Sequence, residues 1–301
     1  MKHLHKIATS ATVALFGCGL ATGAAQAITI TPTNDPNLLA NTIVGSGVTI
    51  SNVTYNGAAI ASGTFTNGLA SGIGIDQGII LTSGRADLAV GPNNSDGATG
   101  TNNTPGDPDL SSLIQGTTTQ DAAVLEFDFI ATEDNPTFRY VFGSEEYNEY
   151  VNQFNDVFAF FVDGQNIALV PGTNTPVSIN NVNGGNPLGT NPVNSQYYVN
   201  NDPSDGTPTN DIQYDGFTRV LTATAPVTAG TQHRIKLAIA DALDRSLDSV
   251  VFIQAGSFST QPPPTSVPEP SSILGVLAFG TFGAGSLLKR KQQKKQATSA
   301  N

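Results

Sequence analysis

The 301-residue chain has one cysteine, no tryptophan and three histidines. Cys18 lies in the apolar N-terminal stretch, so the rest of the chain can form neither a disulfide nor a cysteine-ligated metal site. His3 and His5 also lie near the N-terminus, which leaves His233 for the main part of the chain. Residues 28–301 therefore contain neither the HExxH motif of zinc proteases nor a cysteine nucleophile. The Gly-x-Ser-x-Gly motif of serine hydrolases is also absent.

Basic residues are also few, with thirteen Lys and Arg against twenty-four Asp and Glu, a net charge of −11. Seven of the basic residues lie at the ends, in residues 2–6 and 289–295, whereas every acidic residue lies between Asp35 and Glu269. The segment between the ends has six basic residues against twenty-four acidic ones, a formal charge of −18. Such a segment repels nucleic acid and attracts divalent cations, although solubility alone also explains most individual carboxylates.

The N-terminus has the features of a secretory signal peptide over residues 1–27. Basic residues precede an apolar segment over residues 7–20, and Ala25-Gln26-Ala27 offers a small-x-small cleavage site. We therefore expect export through the Sec translocon and cleavage by signal peptidase after Ala27. Lipoprotein processing at Cys18 is the alternative, but Phe16 is bulky for a lipobox.

The C-terminus combines a Pro-rich stalk over residues 259–270, an uncharged segment and a basic tail. Residues 271–288 carry no charge and, at about 1.5 Å per residue, would form roughly 27 Å of helix, enough to span a bilayer. The basic tail, residues 289–301, predicts that the C-terminus stays in the cytoplasm and the preceding chain lies outside.

This end of the chain resembles the PEP-CTERM signal of bacterial surface proteins. The resemblance implies recognition and cleavage by the membrane protease exosortase. The residues that carry the motif are Val267, Pro268, Glu269, Pro270, Lys289 and Arg290. An ordinary single-pass anchor is the alternative. Both signals together predict a protein of the cell envelope, cell surface or extracellular matrix, held in the membrane through its C-terminal segment before processing.

Residues 28–258 are predicted to form one all-β domain, because Gly, Thr, Asn, Val and Ile dominate and no long segment has a 3.6-residue period. One short helix is expected near the start, with Asn34 or Asp35 as N-cap and Pro36 in the first turn. Its apolar face would consist of Leu38, Leu39, Ile43 and Val44, and Gly45 would end it.

Candidate strands alternate with Asn-, Gly- and Pro-rich loops over residues 91–120 and 172–216. Residues 156–162 are nearly all apolar and are predicted to lie centrally in a sheet. The other candidate strands are residues 47–55, 58–65, 78–83, 122–130, 137–143, 165–170, 217–225, 231–241 and 248–258, with short strands near 177–180 and 196–199. We predict a single jelly-roll-like β-sandwich with one short N-terminal helix, long rim loops and a C-terminal transmembrane sorting helix.

Carboxylates concentrate where the predicted strands end. They are Glu145, Glu146, Glu149 and Asp156 in one group and Asp241, Asp244 and Asp248 in another. Oxygen ligands on such loops suit Ca²⁺, which takes six to eight of them at about 2.4 Å, so these seven residues form a candidate calcium site. The alternative is an edge that is solvated or neutralised by Arg139 or Arg245. A further group lacks EF-hand spacing and is interpreted as turn residues: Asp202, Asp205, Asp211 and Asp215.

The predicted β domain, which contains these carboxylates, resembles the choice-of-anchor L domain. The residues that carry the resemblance are Phe142-Gly143-Ser144-Glu145-Glu146-Tyr147, residues 154–161, residues 78–84 with 91–93, and residues 240–244 with 248–252. Together they cover most of residues 37–258. The resemblance implies a secreted or surface adhesin-like β domain with variable C-terminal attachment signals, and it transfers no catalytic residue.

Three functions are consistent with these features. We expect a non-catalytic extracellular protein associated with exopolysaccharide or adhesion. The alternatives are a carbohydrate-binding module whose loops are positioned by Ca²⁺ and a two-carboxylate glycosidase. The glycosidase would draw its acid and base from Glu126, Glu145, Glu146, Glu149 or Asp156. With tryptophan absent, sugar stacking would depend on Tyr147, Tyr150, Tyr197, Tyr198 and Tyr214. His233 is predicted to be an ordinary strand-edge residue.

Overall fold

The computed structural model describes residues 27–114, 117–206 and 208–261. The predicted signal-peptide segment before Ala27, including Ala25, lies outside these ranges, as do the sorting residues Val267, Pro268, Glu269, Pro270, Lys289 and Arg290. The predicted transmembrane segment, residues 271–288, lies outside them as well. Within the described ranges, no helix has both the length and the apolar character needed to cross a membrane.

The described residues form two antiparallel sheets and a few short helices, which confirms the all-β prediction. The helices are α1 (Pro36–Ile43), α2 (Gly68–Ser71) and α3 (Pro108–Leu113), with 3₁₀ turns at Ala86–Ala89 and Ser195–Tyr197. The strands are β1 (Thr29–Pro32), β2 (Val48–Asn56), β3 (Ser62–Thr66), β4 (Gly78–Thr82), β5 (Thr119–Ala131), β6 (Thr137–Ser144), β7 (Val157–Val162), β8 (Gln165–Asn166), β9 (Tyr198–Asn200), β10 (Gly216–Thr218), β11 (Leu221–Thr224), β12 (Gln232–Ala242) and β13 (Ser249–Gln254).

Helix α1 forms where the sequence predicts it. The Asp35 side chain accepts hydrogen bonds from the backbone N–H groups of Asn37 and Leu38, which are otherwise unpaired at a helix start. The buried face consists of Leu39, Ala40 and Ile43. Leu38, which was expected on that face, is 47% exposed, because the helix packs against β2 and β4 through the side that carries Ala40.

The larger sheet has the strand order β1-β3-β4-β13-β6-β10-β9, and β11 pairs with the other half of β6. The smaller sheet has the order β2-β5-β12-β7-β8. One apolar core contains side chains from both sheets, so the sheets lie face to face. Ring pairs such as Phe138–Phe160 and Phe142–Phe158, each with centroids 4.8 Å apart, join them.

Strand β7 is buried on both faces but is not central in its sheet, contrary to the sequence interpretation. Its outer neighbour is the two-residue strand β8. Alternate side chains, Phe158 and Phe160, enter the main core, while Ala159 and Phe161 form a second apolar cluster that includes Leu110 of α3. The continuous apolar run therefore reflects a helix and loop packed on the outer face of the sheet.

Candidate functional site

Antiparallel pairing brings the carboxylate-bearing strand ends to one end of the sandwich. Ser144 at the end of β6 pairs with Ser249 at the start of β13 and with Gly216 at the start of β10. In the other sheet, Ala240 near the end of β12 pairs with Val157 at the start of β7. The carboxylates next to these positions therefore gather at one rim. We call this set the acidic rim: Asp96, Asp121, Glu145, Glu146, Glu149, Asp156, Asp202, Asp215, Asp241, Asp244 and Asp248.

Most of the acidic rim is buried. Eight of its side chains are no more than 2% exposed: Asp121, Glu145, Glu146, Asp156, Asp202, Asp215, Asp241 and Asp248. Glu149 and Asp244 are half-buried, and Asp96 is exposed. The sequence left open a solvent-exposed edge as one alternative to a cation site. The burial of these eight carboxylates does not agree with that alternative.

Three of these residues form what we call the inner centre: Asp156, Asp241 and Asp248. Asp156 accepts hydrogen bonds from the backbone N–H of Ala242 at 2.9 Å and from the Ser249 hydroxyl at 2.8 Å. Asp248 accepts one bond through Oδ1 from the backbone N–H of Gly100, while its Oδ2 has no hydrogen-bond partner among the described residues. Within the same residues, neither carboxylate oxygen of Asp241 has a hydrogen-bond partner. The inner centre thus presents three unpaired, buried oxygens.

The outer centre consists of Asp96, Glu149 and Asp215. One carboxylate oxygen from each lies within 4.8 Å of the others. The Asn93 amide donates to Asp215 Oδ1 at 2.7 Å and fixes that carboxylate in place. Glu145 stands between the two centres, because its carboxyl is within hydrogen-bonding reach of Asp215 and also interacts with the charge of Asp248. Glu145 Oε1 is buried and unpaired.

Burial makes ionisation of these groups unfavourable in the absence of a counter-charge. Burial, together with the charges of Asp215 and Asp248, raises the pKa of Glu145 to about 10. Burial and nearby carboxylates likewise raise the pKa of Glu146 to about 9 and that of Asp156 to about 7. The pKa of Asp241 is raised well above its usual value by burial and by Asp156. The rim therefore requires either bound protons or positive charge.

The six basic side chains between the chain ends do not supply that charge to either centre. Arg139, expected as a counter-charge, donates to Gln254 instead. Arg245 reaches the edge of the rim, where its Nε lies 3.4 Å from Asp121. The other four pair elsewhere: Arg85 with Asp87, Arg219 with the Gln196 carbonyl, Arg234 with Glu126 and Asp128, and Lys236 with Asp107 and Asp109.

The loop over residues 91–107 packs onto the rim through its backbone. The N–H of Ala98 donates to Glu145, and the N–H groups of Asn102 and Thr104 donate to Asp121. On the opposite side, Asp248 lies against Gly84, where a Cβ atom would overlap its carboxylate. The sequence interpretation of residues 91–120 as a surface loop missed these contacts.

The structure brings the seven candidate calcium ligands to the same rim, although Glu149 belongs to the outer centre and Asp244 caps a turn by accepting from the Ser246 N–H. Sequence reasoning missed Asp96 and Asp121. It also interpreted Asp202 and Asp215 as turn residues. Asp202 does stabilise a turn, because it accepts from the Ser204 N–H at 2.6 Å, but both residues are 1% exposed and belong to the rim, which the sequence interpretation missed. The sequence did contain a signal for Asp215, because this residue directly precedes a strand, as Asp156 and Asp248 do.

Several residues proposed above for binding or cleaving a sugar lie away from the rim or are buried. Glu126 lies in the middle of β5, away from the rim, and pairs with Arg234 at 3.5 Å. Tyr147, Tyr198 and Tyr214 are buried, so they cannot stack on a sugar, whereas Tyr150 is 37% exposed. His233 bonds to Asp163 at 2.6 Å near the start of β12, at the opposite end of that strand from Asp241.

Comparison with known proteins gives one family. A family model described as Choice-of-anchor L domain matches residues 27–259. No curated protein and no solved structure matches the chain significantly.

Proposed function

The chain belongs to the choice-of-anchor L domain family, and from that membership we propose that it is a non-catalytic protein that works on the cell surface or in the extracellular matrix. The single observation that carries the proposal is the match over residues 27–259, which takes in the whole described β-sandwich. Family membership points to a surface-anchored protein without enzymatic activity.

The proposed route to the surface depends on the two ends of the chain. Sec-dependent export and cleavage after Ala27 would release Ile28 as the new N-terminus. Exosortase would then act at Val267-Pro268-Glu269-Pro270 and remove the apolar segment with its basic tail. Removal of both ends leaves a strongly acidic chain, because seven of the thirteen basic residues lie in those ends.

Mass spectrometry of the protein from a host with an active exosortase tests this route. The expected product begins at Ile28 and lacks residues 289–301. Replacement of Pro268, Glu269 and Pro270 by alanine should leave the basic tail attached, whereas alanine at Pro262, Pro263 and Pro264 of the same stalk should leave processing unchanged. A wild-type product that still carries Lys289 and Arg290 would refute exosortase processing.

The proposed role outside the cell is association with exopolysaccharide or with other cells. The acidic, hydrated segment suits a polysaccharide matrix and disfavours nucleic acid. Cell fractionation with and without enzymatic removal of the exopolysaccharide tests this. The protein should leave the matrix fraction together with the polysaccharide, and retention after complete removal would contradict the association.

A calcium-dependent carbohydrate-binding module is the second candidate. The observation that favours it is the exposed Tyr150 ring, which lies next to Glu149 of the outer centre and contacts Phe154 with centroids 5.7 Å apart. Glycan binding measured in calcium and in EGTA tests it. Binding that disappears in Tyr150→Ala but not in Tyr55→Phe would support the module, and the absence of any glycan binding would exclude it.

A further inference from the structure

We propose that the acidic rim binds one calcium ion at the outer centre (Asp96, Glu149, Asp215), with the buried carboxyl of Glu145 beside it. This inference goes beyond the surface role above, because it concerns what holds the rim together and stands whether or not exosortase processes the chain.

The unpaired oxygens provide the first argument. A buried carboxylate normally receives hydrogen bonds or an ionic partner, because an isolated charge away from water is strongly unfavourable. Asp241 is 1% exposed and both of its oxygens lack a partner. Asp248 Oδ2 and Glu145 Oε1 are buried and unpaired in the same way. The rim therefore needs protons or a cation, and the unpaired oxygen of Glu145 places that need beside Asp215 of the outer centre.

Positive charge from the protein is the competing explanation, and the geometry does not support it. Five of the six basic side chains of the described ranges pair outside the acidic rim. Arg245, the sixth, lies 3.4 Å from Asp121, a rim residue that belongs to neither centre. No Lys, Arg or His nitrogen of the described residues lies within 4.0 Å of a carboxylate in either centre.

Spacing provides the argument for the outer centre. Two oxygens bound to one calcium at about 2.4 Å can be no more than about 4.8 Å apart. The oxygens of Asp96, Glu149 and Asp215 lie within 4.8 Å of one another, so all three can reach a single ion. The buried Glu145 carboxyl, whose Oε1 is unpaired, is directed at Asp215 and adds an independent indication of a ligand there.

The ligand chemistry favours calcium over other divalent ions. Both centres offer only oxygen atoms. His233 is far from the rim, and residues 27–261 contain no cysteine, so zinc and copper lack their usual ligands. Magnesium keeps several waters and binds oxygens at about 2.0–2.1 Å, which suits a buried, all-carboxylate cage poorly. An extracellular calcium module typically has a dissociation constant of about 10⁻⁴ to 10⁻³ M.

The bound ion would have a direct consequence for the fold, because it would join Asp96 of the 91–107 loop to Glu149 and Asp215. Because Asp96 is exposed, the ion would keep one side open to solvent or to an extracellular ligand.

Calcium content and thermal unfolding of the purified full-length chain in detergent test the proposal. The expected result is one calcium ion per chain, measured by equilibrium dialysis against saturating calcium, and none in Asp215→Asn. The control Asp87→Asn removes an exposed carboxylate that pairs with Arg85 and should keep the ion. Calcium should raise the melting temperature relative to EGTA, and magnesium should not reproduce the increase.

The absence of bound calcium together with equal melting temperatures in calcium and EGTA would overturn the proposal. Retention of the ion in Asp215→Asn would overturn its assignment to the outer centre. If the variants fail to fold, terbium luminescence of the unmutated chain serves instead, because buried Tyr214 lies close to Asp248 and Glu145 and no tryptophan interferes. Tyrosine-sensitised emission that calcium displaces is expected, and its absence would count against the site.

Discussion

The Asp156 carboxylate accepts a 2.8 Å hydrogen bond from the hydroxyl of Ser249 and so joins the two sheets at the acidic rim. Asp156 directly precedes β7 of the smaller sheet, and Ser249 begins β13 of the larger one. The same hydroxyl contacts Ser144 Oγ at the end of β6. One buried side chain therefore fixes the positions of three strand ends.

Replacing Ser249 with alanine should lower the free energy of unfolding by about 1–3 kcal/mol, because one oxygen of buried Asp156 loses its partner. Chemical denaturation in saturating calcium measures the change. The matched control is Ser112→Ala, whose exposed hydroxyl bonds within α3, and it should cost less than about 0.5 kcal/mol. Equal effects of the two substitutions would show that the bond contributes nothing specific.

The fold class could be predicted because it depends on local patterns. Alternating apolar residues revealed β5, and an Asp followed by Pro revealed the start of α1. The predicted strand over residues 217–225 is instead two strands, β10 and β11. The break occurs because the Arg219 N–H bonds to the Tyr197 carbonyl rather than to β6. Such a change of partner depends on a distant segment and has no local signal.

The candidate site divides in the same way. Carboxylates next to apolar strands were recognised, because they stand out in the sequence around Glu145 and Asp241. Asp96 and Asp215 reach the outer centre only through the folding of long loops. One of these loops is held in place by the hydrogen bond between Asn93 and Asn201, which are 108 residues apart in the sequence. Polar loop sequences look alike whether they face solvent or cover a buried site, so composition cannot separate the two cases.

Replacing Gly84 with alanine should disturb the inner centre without emptying the outer one. A Cβ at this position would overlap the carboxylate of Asp248, so that carboxylate must move. We expect a lower melting temperature with an unchanged calcium content, because Asp248 is not a ligand of the outer centre. Loss of the calcium ion in Gly84→Ala would contradict its assignment to Asp96, Glu149 and Asp215.

The contact between the sheets can be tested separately from the rim. Phe158 is fully buried and stacks on Phe142 across the sandwich, with centroids 4.8 Å apart and planes 19° from parallel. Phe158→Ala should lower the free energy of unfolding by about 3–5 kcal/mol through lost burial and the cavity left behind. Tyr150→Ala, an exposed aromatic position, should have a much smaller effect. Denaturant midpoints of both variants, measured in calcium, decide the comparison.

The stability of the cation-free protein should fall as the pH rises from about 5 to about 9. Burial raises the pKa of Glu145 to about 10 and that of Glu146 to about 9, against roughly 4.3 for an unfolded glutamate. The folded state then binds more protons than the unfolded state. The stabilisation from these two protonated carboxyls is therefore complete below about pH 4.3 and is lost as the pH rises towards their pKa values in the folded protein. Each carboxyl protonated only in the folded state contributes a slope of about 1.4 kcal/mol per pH unit.

Denaturant titrations in EGTA across this range measure the slope, and Glu145→Gln should flatten it because the substituted amide carries no titratable proton. Saturating calcium should flatten it as well, since a bound cation replaces the protons as the partner of the carboxylates. Asp87→Asn, which alters an exposed pair with Arg85, should leave the slope unchanged. A stability that stays constant or increases with pH in EGTA would mean that the rim carboxylates are ionised without a cation, contrary to their burial.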